Sequence, residues 1–355
     1  MTMRRSLSAI TLAMVLTSCV SNEVAVPDVV ETPITFSVLQ KGMSSRASVS
    51  GNVYPKDVPF GTYAYLLEAG KTWTNDKVGA SLYINDDEVS YHQDAVGRFA
   101  ANSWYSSIIH YWPQGGRTLT FFSYSPKSIN MGCTPSTGLT LNRYQAGTTA
   151  GDAADGGEGI DIMTAMIEDQ VTNVSSSGTY HAGVPTAFKH ICCQVEVFAK
   201  LDNKDENADY KVNSITLNNL WTEADFSNDV WSGHKTSKDV KYTLDGTSGA
   251  LNTDGTTPTV VFPPMIVIPQ NLLASGEREA PGITINYTYK DRNEYKTVSV
   301  SKEFVKDING LVQAWEKGKK YILTIAFSTE DAFIEFATSV DGWSDGKSSS
   351  ITVGQ

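Results

Sequence analysis

The chain has 355 residues, a length that suits two domains of ordinary size better than one. Hydrophobic residues make up 41% and charged residues 19%, which excludes intrinsic disorder, collagen-like repeats and coiled coils. The 16 Tyr, 13 Phe and 7 Trp favour strands over helices. The net charge is −11. Because phosphate contacts need clustered Lys and Arg, such an acidic chain is not expected to bind nucleic acid.

The N-terminus has the layout of an export signal. Arg4 and Arg5 precede a short apolar stretch that ends in the sequence LTSC at residues 16–19. This ending resembles the bacterial lipobox, and the resemblance implies that Cys19 receives a diacylglyceryl group and becomes the first mature residue. The alternative is an ordinary signal with a chance Cys. We therefore predict a lipoprotein signal peptide over residues 1–19 and a tether over residues 20–33, with the acyl chains as the membrane anchor.

From residue 34 onward, short runs of alternating apolar residues follow one another between Gly-, Asn-, Asp- and Pro-rich turns. The clearest runs are residues 34–38, 63–67, 118–124, 283–289 and 321–327. Many short strands at turn-marked spacing predict an all-β protein built of sandwiches. A loop-rich stretch ending near residue 185 indicates a domain boundary, with an N-terminal domain over 34–185 and a C-terminal domain over 186–355.

Two local predictions concern the C-terminal half. Residues 188–198 are expected to form one strand that opens a new sheet, with a core face made of Ile191, Cys193, Val195 and Val197. Residues 307–315 are expected to form a short helix with Asp307 near its N-cap.

Cysteine usage argues against a disulfide framework. Beyond the signal the chain has Cys133, Cys192 and Cys193, an odd number. The adjacent pair would point to opposite faces of a strand, and a bridge between them would strain the backbone. Buried free thiols are the expected state.

A set of segments, taken in order, resembles the fimbrillin family of Bacteroides-type lipoproteins, which are the subunits of type V pili. The matching pieces are Cys19, Arg46 with Ala47, and residues 111–113 (YWP), 119–126 (LTFFSYSP), 161–165 (DIMTA), 188–190 (FKH), 268–270 (IPQ), 315–321 (WEKGKKY) and 340–343 (VDGW). No single piece is specific, but the ordered set spans nearly the whole mature chain.

The resemblance implies two consecutive transthyretin-like β-sandwich domains and a surface-exposed lipoprotein of the cell outer membrane, assembled with other fimbrial subunits into a fimbrium that serves adhesion. The subunits would form a homo- or hetero-polymer, and a receptor or glycan on a host or bacterial surface would be a further partner. In stalk subunits of the family, an arginine-specific protease removes the first strand, and a strand from the next subunit fills the groove.

Carried onto this sequence, the removed strand would be residues 34–38, and the cut would fall between Arg46 and Ala47. The donor strand would be residues 349–353, with Ile351 and Val353 facing the groove. Arg46 has an alternative interpretation as an ordinary solvated loop arginine. The chain departs from the family pattern at its end, because only twelve residues follow Trp343, a short tail for a donor strand.

Catalytic and metal patterns are weak. His190 and Cys192, two residues apart, would share a strand face, but a structural zinc site needs four ligands and no second pair is visible. Asp152, Asp155, Glu158 and Asp161 form an acidic run that suits either a cation or a solvated loop. Nucleophile-elbow and phosphate-loop motifs are absent from the sequence. We expect no enzyme activity, no cofactor and no metal.

Five aromatic residues near turns suggest an alternative function. Aromatic platforms on β-sandwiches stack on sugar rings, and the candidates here are Trp73, Trp104, Tyr105, Trp221 and Trp231. The chain would then be a monomeric surface glycan-binding lipoprotein of a polysaccharide-uptake system. The two functions make different demands on residues 20–46, which are an integral, removable strand in the first and only a tether in the second.

Overall fold

Strands make up nearly all of the regular structure. The computed structural model describes residues 32–40, 54–146, 159–171, 183–245, 247–308, 313–328 and 334–342, and only the backbone for residues 39, 40, 236 and 334–342. Helices in these ranges are single turns, α1 (Trp73–Asp76) and α2 (Phe304–Asp307), with 3₁₀ turns at Lys77–Gly79 and Lys127–Ile129. The predicted all-β class is confirmed. No helix in the described ranges has the length and apolar character to cross a membrane.

The strands of the N-terminal part are β1 (Phe36–Gln40), β2 (Phe60–Leu67), β3 (Ser81–His92), β4 (Ser103–Ser106), β5 (Thr118–Ser125), β6 (Gly132–Thr134), β7 (Gly138–Gln145), β8 (Met163–Gln170) and β9 (Val184–His190). Those that follow are β10 (Cys193–Leu201), β11 (Tyr210–Ser227), β12 (Val230–Thr243), β13 (Thr259–Val267), β14 (Gln270–Asn271), β15 (Gly282–Asp291), β16 (Glu294–Glu303), β17 (Ala314–Trp315), β18 (Lys319–Phe327) and β19 (Ile334–Gly342).

Seven of the N-terminal strands close into a barrel. Among the described residues its order is β1-β4-β3-β2-β5-β8-β9, and β1 returns to pair with β9. The interior is aromatic and aliphatic, with Phe36, Phe60, Phe121 and Phe188 all at most 4% exposed. Inward and outward residues alternate along each strand, so that Phe121 faces the interior while Phe122 faces away from it.

The C-terminal strands, joined by β6 and β7 of the N-terminal part, form two sheets that face each other. One has the order β13-β10-β18-β19, and the other has the order β16-β15-β11-β7-β6, with β12 also paired to β11. Between them lies a core of aliphatic residues from both sheets, including Val197, Ile325, Ile215 and Ile285. This is the layered packing of a β-sandwich, in which the inner faces of two sheets form a shared core.

A third cluster joins the barrel to the sandwich. Tyr63, Phe122 and Tyr124 on the outer face of the barrel pack with Phe226 and Ile266 of the two sheets. Strand β5 is therefore buried on both faces, and its run of eight residues is almost entirely inaccessible. Because residues from Thr32 onward belong to one compact unit, the barrel and the sandwich share this interface.

The passage from barrel to sandwich lies at a bend. Strand β9 continues through residue 185 and stays in the barrel until His190, and the next sheet begins at Cys193. The hairpin β6–β7 precedes residue 185 in the chain but pairs with β11, with Tyr144 opposite Ala224. The predicted limits 34–185 and 186–355 stay a prediction, and so does the transthyretin-like description of two sandwiches.

Two local predictions were wrong. Ile191 does not share a strand face with Cys193, because the chain bends between β9 and β10 and Ile191 packs in the cluster between barrel and sandwich. The expected helix over 307–315 is also absent from the described part of that range. Helix α2 ends at Asp307, and Trp315 lies in β17 opposite Gln270, where its ring meets Phe304 at 5.4 Å.

We expect Phe226→Ala to lower the free energy of unfolding by about 3–5 kcal/mol, because this 2% exposed ring lies in the shared cluster and its loss leaves a cavity. Urea denaturation followed by tryptophan fluorescence measures the change. The control is Val230→Ala on the adjacent strand, where the side chain is 59% exposed and removal should change little. Equal effects of the two substitutions would contradict the shared-core interpretation.

Candidate strand-exchange site

Strand β1 completes the barrel by filling the gap between β4 and β9. It pairs in parallel with β9 over five residues, from Phe36 opposite Val184 to Gln40 opposite Phe188. On its other side it meets β4 in antiparallel fashion at one pair, Phe36 opposite Trp104. Without β1, both neighbours would present unpaired backbone N–H and C=O groups beside an apolar interior.

The segment that leads into β1 is clamped by the loop before β5. Ile34 N–H donates to the His110 carbonyl over 2.8 Å, and Trp112 N–H donates to the Thr32 carbonyl over 3.0 Å. The loop is fixed in turn, because the His110 Nε2 lies 2.6 Å from an Asp87 carboxylate oxygen. Residues 32–34 are therefore hydrogen-bonded to the loop, and residues 36–40 are paired with β9.

The inward side chains of β1 and of the segment before it insert into a cluster of aromatic rings. Ile34 and Phe36 are each 4% exposed, and Val38 is half-buried against the same core. The Phe36 ring makes edge contacts with Phe60 at 5.5 Å and with Phe121 at 5.9 Å between centroids. Such edge-to-face pairs are favoured by the ring quadrupoles and contribute about 0.5–1.5 kcal/mol each beyond burial.

The rings that receive Phe36 are themselves held by other rings. Tyr54 stacks on Phe188 at 5.1 Å, meets Trp104 at 5.3 Å, and places its hydroxyl 2.6 Å from the Ser125 hydroxyl. Burial raises the pKa of the Tyr54 phenol well above its usual value, so the ring is a neutral part of the core. The rings that surround Phe36 are thus in contact with further rings on their far sides.

Two residues of β9 and its approach allow β1 to lie close. Gly183 has φ +101°, and a Cβ there would fall 2.6 Å from the Phe36 carbonyl carbon. Val184 N–H donates to the Thr35 carbonyl over 2.7 Å, so alternate N–H groups of β9 point to β1. The backbone nitrogen of Pro185 faces away from β1. The N–H group that proline lacks is therefore not one that would pair with β1.

The predicted lipidation, cleavage and donor residues lie outside the described residues. Cys19, Arg46 with Ala47, and Ile351 with Val353 fall in residues 1–31, 41–53 and 343–355 respectively. What the structure does describe is the strand that the cleavage would release. The run predicted over 34–38 is realised as an extended segment whose strand is β1.

His190 and Cys192 do not share a strand face, contrary to the expectation for a continuous strand. Strand β9 ends at His190, the chain bends, and Cys192 is buried in the neighbouring cluster. His190 Nδ1 instead lies 2.9 Å from an Asp161 carboxylate oxygen. The parts of the chain that the structure describes contain no group of three or more His, Cys, Asp or Glu residues placed to hold a metal.

The predicted free thiols are confirmed, since Cys133, Cys192 and Cys193 are unpaired and the last two are buried. Burial raises the pKa of Cys192 and Cys193 well above the usual value, and it raises that of Cys133 to about 12. Because the thiolate is the reactive form, these side chains are unreactive packing groups at neutral pH.

The proposed sugar-stacking platform was wrong for four of its five residues. Trp73, Trp104, Tyr105 and Trp231 are all at most 8% exposed, so their ring faces are covered by protein. Trp221 is half-buried and faces the Arg278 guanidinium at 4.9 Å. Arg278 is itself buried, and that burial lowers its pKa to about 10.

A family model described as fimbrillin-like matches residues 60–343, which is more than half of the chain. The chain belongs to the fimbrillin-like family. The resemblance found in the sequence is thereby confirmed. The family is one of fimbrial structural and adhesion proteins and not of enzymes, which supports a fimbrial subunit role at the cell surface.

One solved structure shares the fold of this fimbrillin-like chain. A fimbrial protein from Bacteroides vulgatus is 18% identical with a TM-score of 0.61, covering 88% of this chain and 99% of that one. Candidate cell adhesion proteins from Bacteroides uniformis (16%, TM-score 0.47) and Bacteroides ovatus (14%, 0.48) each cover 88% of this chain and 98% of theirs. At these identities the first likeness shows the fold alone. No curated protein matches the chain.

Sequence reasoning missed the partner of the first strand in this fimbrillin-like chain. The buried residues of β9, which are Val184, Thr186, Phe188 and His190, alternate with exposed ones. That period-2 pattern is readable in the sequence, but Gly183 and Pro185 were interpreted as the end of a linker. The contacts of residues 110–112 with the first segment could not be recognised in the sequence, because they use backbone groups that every such residue carries.

Gly183→Ala should unseat β1, because the new Cβ would overlap the β1 backbone and strain a positive φ. We expect amide hydrogen exchange of residues 34–38 to accelerate by about tenfold or more. The control is Gly79→Ala, since no atom lies within 4 Å of the added Cβ at that position. Unchanged protection of residues 34–38 in the Gly183 variant would contradict the close approach.

Proposed function

We propose that this chain is a surface-anchored fimbrial subunit that assembles by proteolytic removal of its first strand and donor-strand exchange. The observation that carries the proposal is the position of β1. It is an integral strand that closes the barrel through β9 and β4, and not a tether. That is the property which separates an assembling subunit from a monomeric glycan-binding lipoprotein.

The chain order makes β1 separable from the rest. Residues 41–53 follow β1 and precede Tyr54, and they include Arg46 among the small residues Gly42, Ser44, Ser45, Ser48 and Ser50. A cut after Arg46 breaks one covalent link and leaves every other strand of the barrel joined in sequence. Small polar residues around the bond suit the extended conformation that a protease requires.

Removal of β1 would leave an apolar groove and an unpaired strand edge, both of which are unfavourable in water. The inward residues Ile34, Phe36 and Val38 would leave an apolar groove, and burying one such side chain contributes about 1.5–3 kcal/mol. The freed edge of β9 would expose alternate N–H groups, beginning with Val184. A strand with alternating apolar residues from another subunit satisfies both needs together.

The remaining parts of the proposal concern anchoring and donation. Cys19 carries the lipid that holds the exported chain in the outer membrane until assembly, and residues 349–353 donate Ile351 and Val353 to the groove of a neighbouring subunit. The two regions flanking residue 185 would be the transthyretin-like domains of such a subunit. The glycan-binding alternative loses its main support, because four of its five aromatic residues are buried.

Cleavage and exchange can be tested together on residues 20–355. An arginine-specific protease is expected to produce a fragment that begins at Ala47. Only the cut protein should then take up a fluorescent peptide of residues 32–46, measured by anisotropy over hours, because only it can vacate the groove. Arg46→Gln should abolish both events, while Arg98→Gln, at an exposed arginine in the described part of the chain, should preserve them. Folded protein that resists the cut, or cut protein that refuses the peptide, would overturn the proposal.

Anchoring gives a separate prediction. Cys19→Ala should abolish incorporation of labelled palmitate in a bacterial host and move the protein out of the membrane fraction, because no acyl chain can be attached. Ser18→Ala, which leaves the thiol in place, is the matched control. Persistent labelling of the Cys19 variant would show that the signal ends elsewhere.

A further inference from the structure

We infer that strand β16 (Glu294–Glu303) is a docking edge for a second copy of this chain, whose β16 pairs with it in antiparallel fashion about a two-fold axis at Val298. The contact goes beyond the proposed function, because it lies on the sandwich and needs no cleavage. It joins two subunits side by side, since a two-fold contact closes on itself and does not extend a polymer.

Strand β16 is the last strand on the described path of its sheet, and its ladder is regular. It pairs with β15 from Glu294 opposite Asp291 to Glu303 opposite Gly282 without a register shift. Residues 297–301 (TVSVS) form its centre and carry no charge. In an antiparallel ladder, alternate residues turn their N–H and C=O groups away from the neighbouring strand. The far side of β16 therefore offers a row of hydrogen-bonding groups, which is a template for another strand.

Other edge strands whose side chains the structure describes carry features that discourage such pairing. Strand β13 contains Pro263 and Pro264 and has two register shifts against β10. Strand β12, which pairs with β11, has register shifts and the exposed residues Lys235, Lys238 and Lys241. Strands β6, β14 and β17 are two or three residues long. Prolines, bulges, lysines and short length are the means by which sheets protect their edges, and the centre of β16 has none of them.

The placement of charges identifies the occupant as a second copy. Val298 packs on the core side of the sheet, so a partner strand keeps that side apolar only in registers that set even-numbered residues opposite even-numbered ones. With the two-fold axis at Val298, Glu294 of each copy lies opposite Lys302 of the other. With the axis one residue further on, at Ser299, Lys296 would lie opposite Lys302. Opposite charges directly across a sheet favour pairing and like charges disfavour it, so the pattern selects the first register.

Tyr295 supports the same register from the outer face of the sheet. Its side chain is 64% exposed, and its hydroxyl donates to an Asp209 carboxylate oxygen over 2.8 Å. With the axis at Val298, this ring lies opposite Ser301 of the second copy, whose small side chain leaves room for it. The pairing thus covers an exposed aromatic ring, and burial of apolar surface is favourable.

The test measures association of residues 20–355 carrying Arg46→Gln, so that cleavage and strand exchange cannot contribute. Because one strand pair buries less surface than a standard interface, we expect a dissociation constant in the micromolar range, measured by sedimentation over about 1–200 μM in physiological salt. Lys302→Glu should weaken the dimer by about tenfold or more, since it sets two like-charge pairs across the axis. Adding Glu294→Lys to that variant exchanges the charges and should restore the affinity.

The matched control is Lys241→Glu, which makes the same charge change at an exposed lysine of β12 and should alter the affinity by less than about twofold. Thermal unfolding of each variant reports whether it is folded. Protein that stays monomeric at about 200 μM would overturn the inference. A dimer that Lys302→Glu and Lys241→Glu weaken equally, or that the exchanged charges do not restore, would overturn it as well. Because the protein remains uncut, each of these outcomes leaves the proposed strand exchange unaffected.

Discussion

The parallel pairing of β1 with β9 is the interaction on which the barrel depends. It joins the first strand of the fold to the last strand of the barrel, so that Phe36 lies opposite Val184 and the whole barrel sequence forms the crossover between them. The other strand pairs of the barrel, from β4 through β3, β2, β5 and β8 to β9, do not involve β1. With β1 in place the barrel is closed, and without β1 it would be open between β4 and β9.

The aromatic interior adds side-chain contacts to the backbone pairing of β1. The Phe36 ring lies between Phe60 and Phe121, and Tyr54, which contacts the Phe60 ring, places its hydroxyl 2.6 Å from the Ser125 hydroxyl. Backbone pairing alone would accept many sequences, since N–H and C=O groups are the same in every strand. The pocket around Phe36 adds contacts that depend on the side chain at that position. Gly183 allows the β1 backbone to lie closer than a residue with a Cβ would.

Several polar side chains inside the barrel and the sandwich are engaged in ion pairs or in packing. His110 pairs with Asp87 in the loop that clamps the first strand, and His190 pairs with Asp161 near the end of β9. The thiols of Cys192 and Cys193 are buried with raised pKa values. These four groups, among the residues that the structure describes, are held in ion pairs or in packing contacts.

The sequence by itself determined the all-β class, the family and which face of many strands is buried. In β18, for example, Tyr321, Leu323, Ile325 and Phe327 alternate as expected and are all at most 6% exposed. Local periodicity reports the face of a strand because that face is set by the residue's own position. Only the tertiary structure decided which strands are neighbours, that β6 and β7 join the second sheet, and that the turn-flanking tryptophans are mostly covered. Pairing and burial of that kind arise between residues far apart in the chain, and a period of two carries no information about the partner.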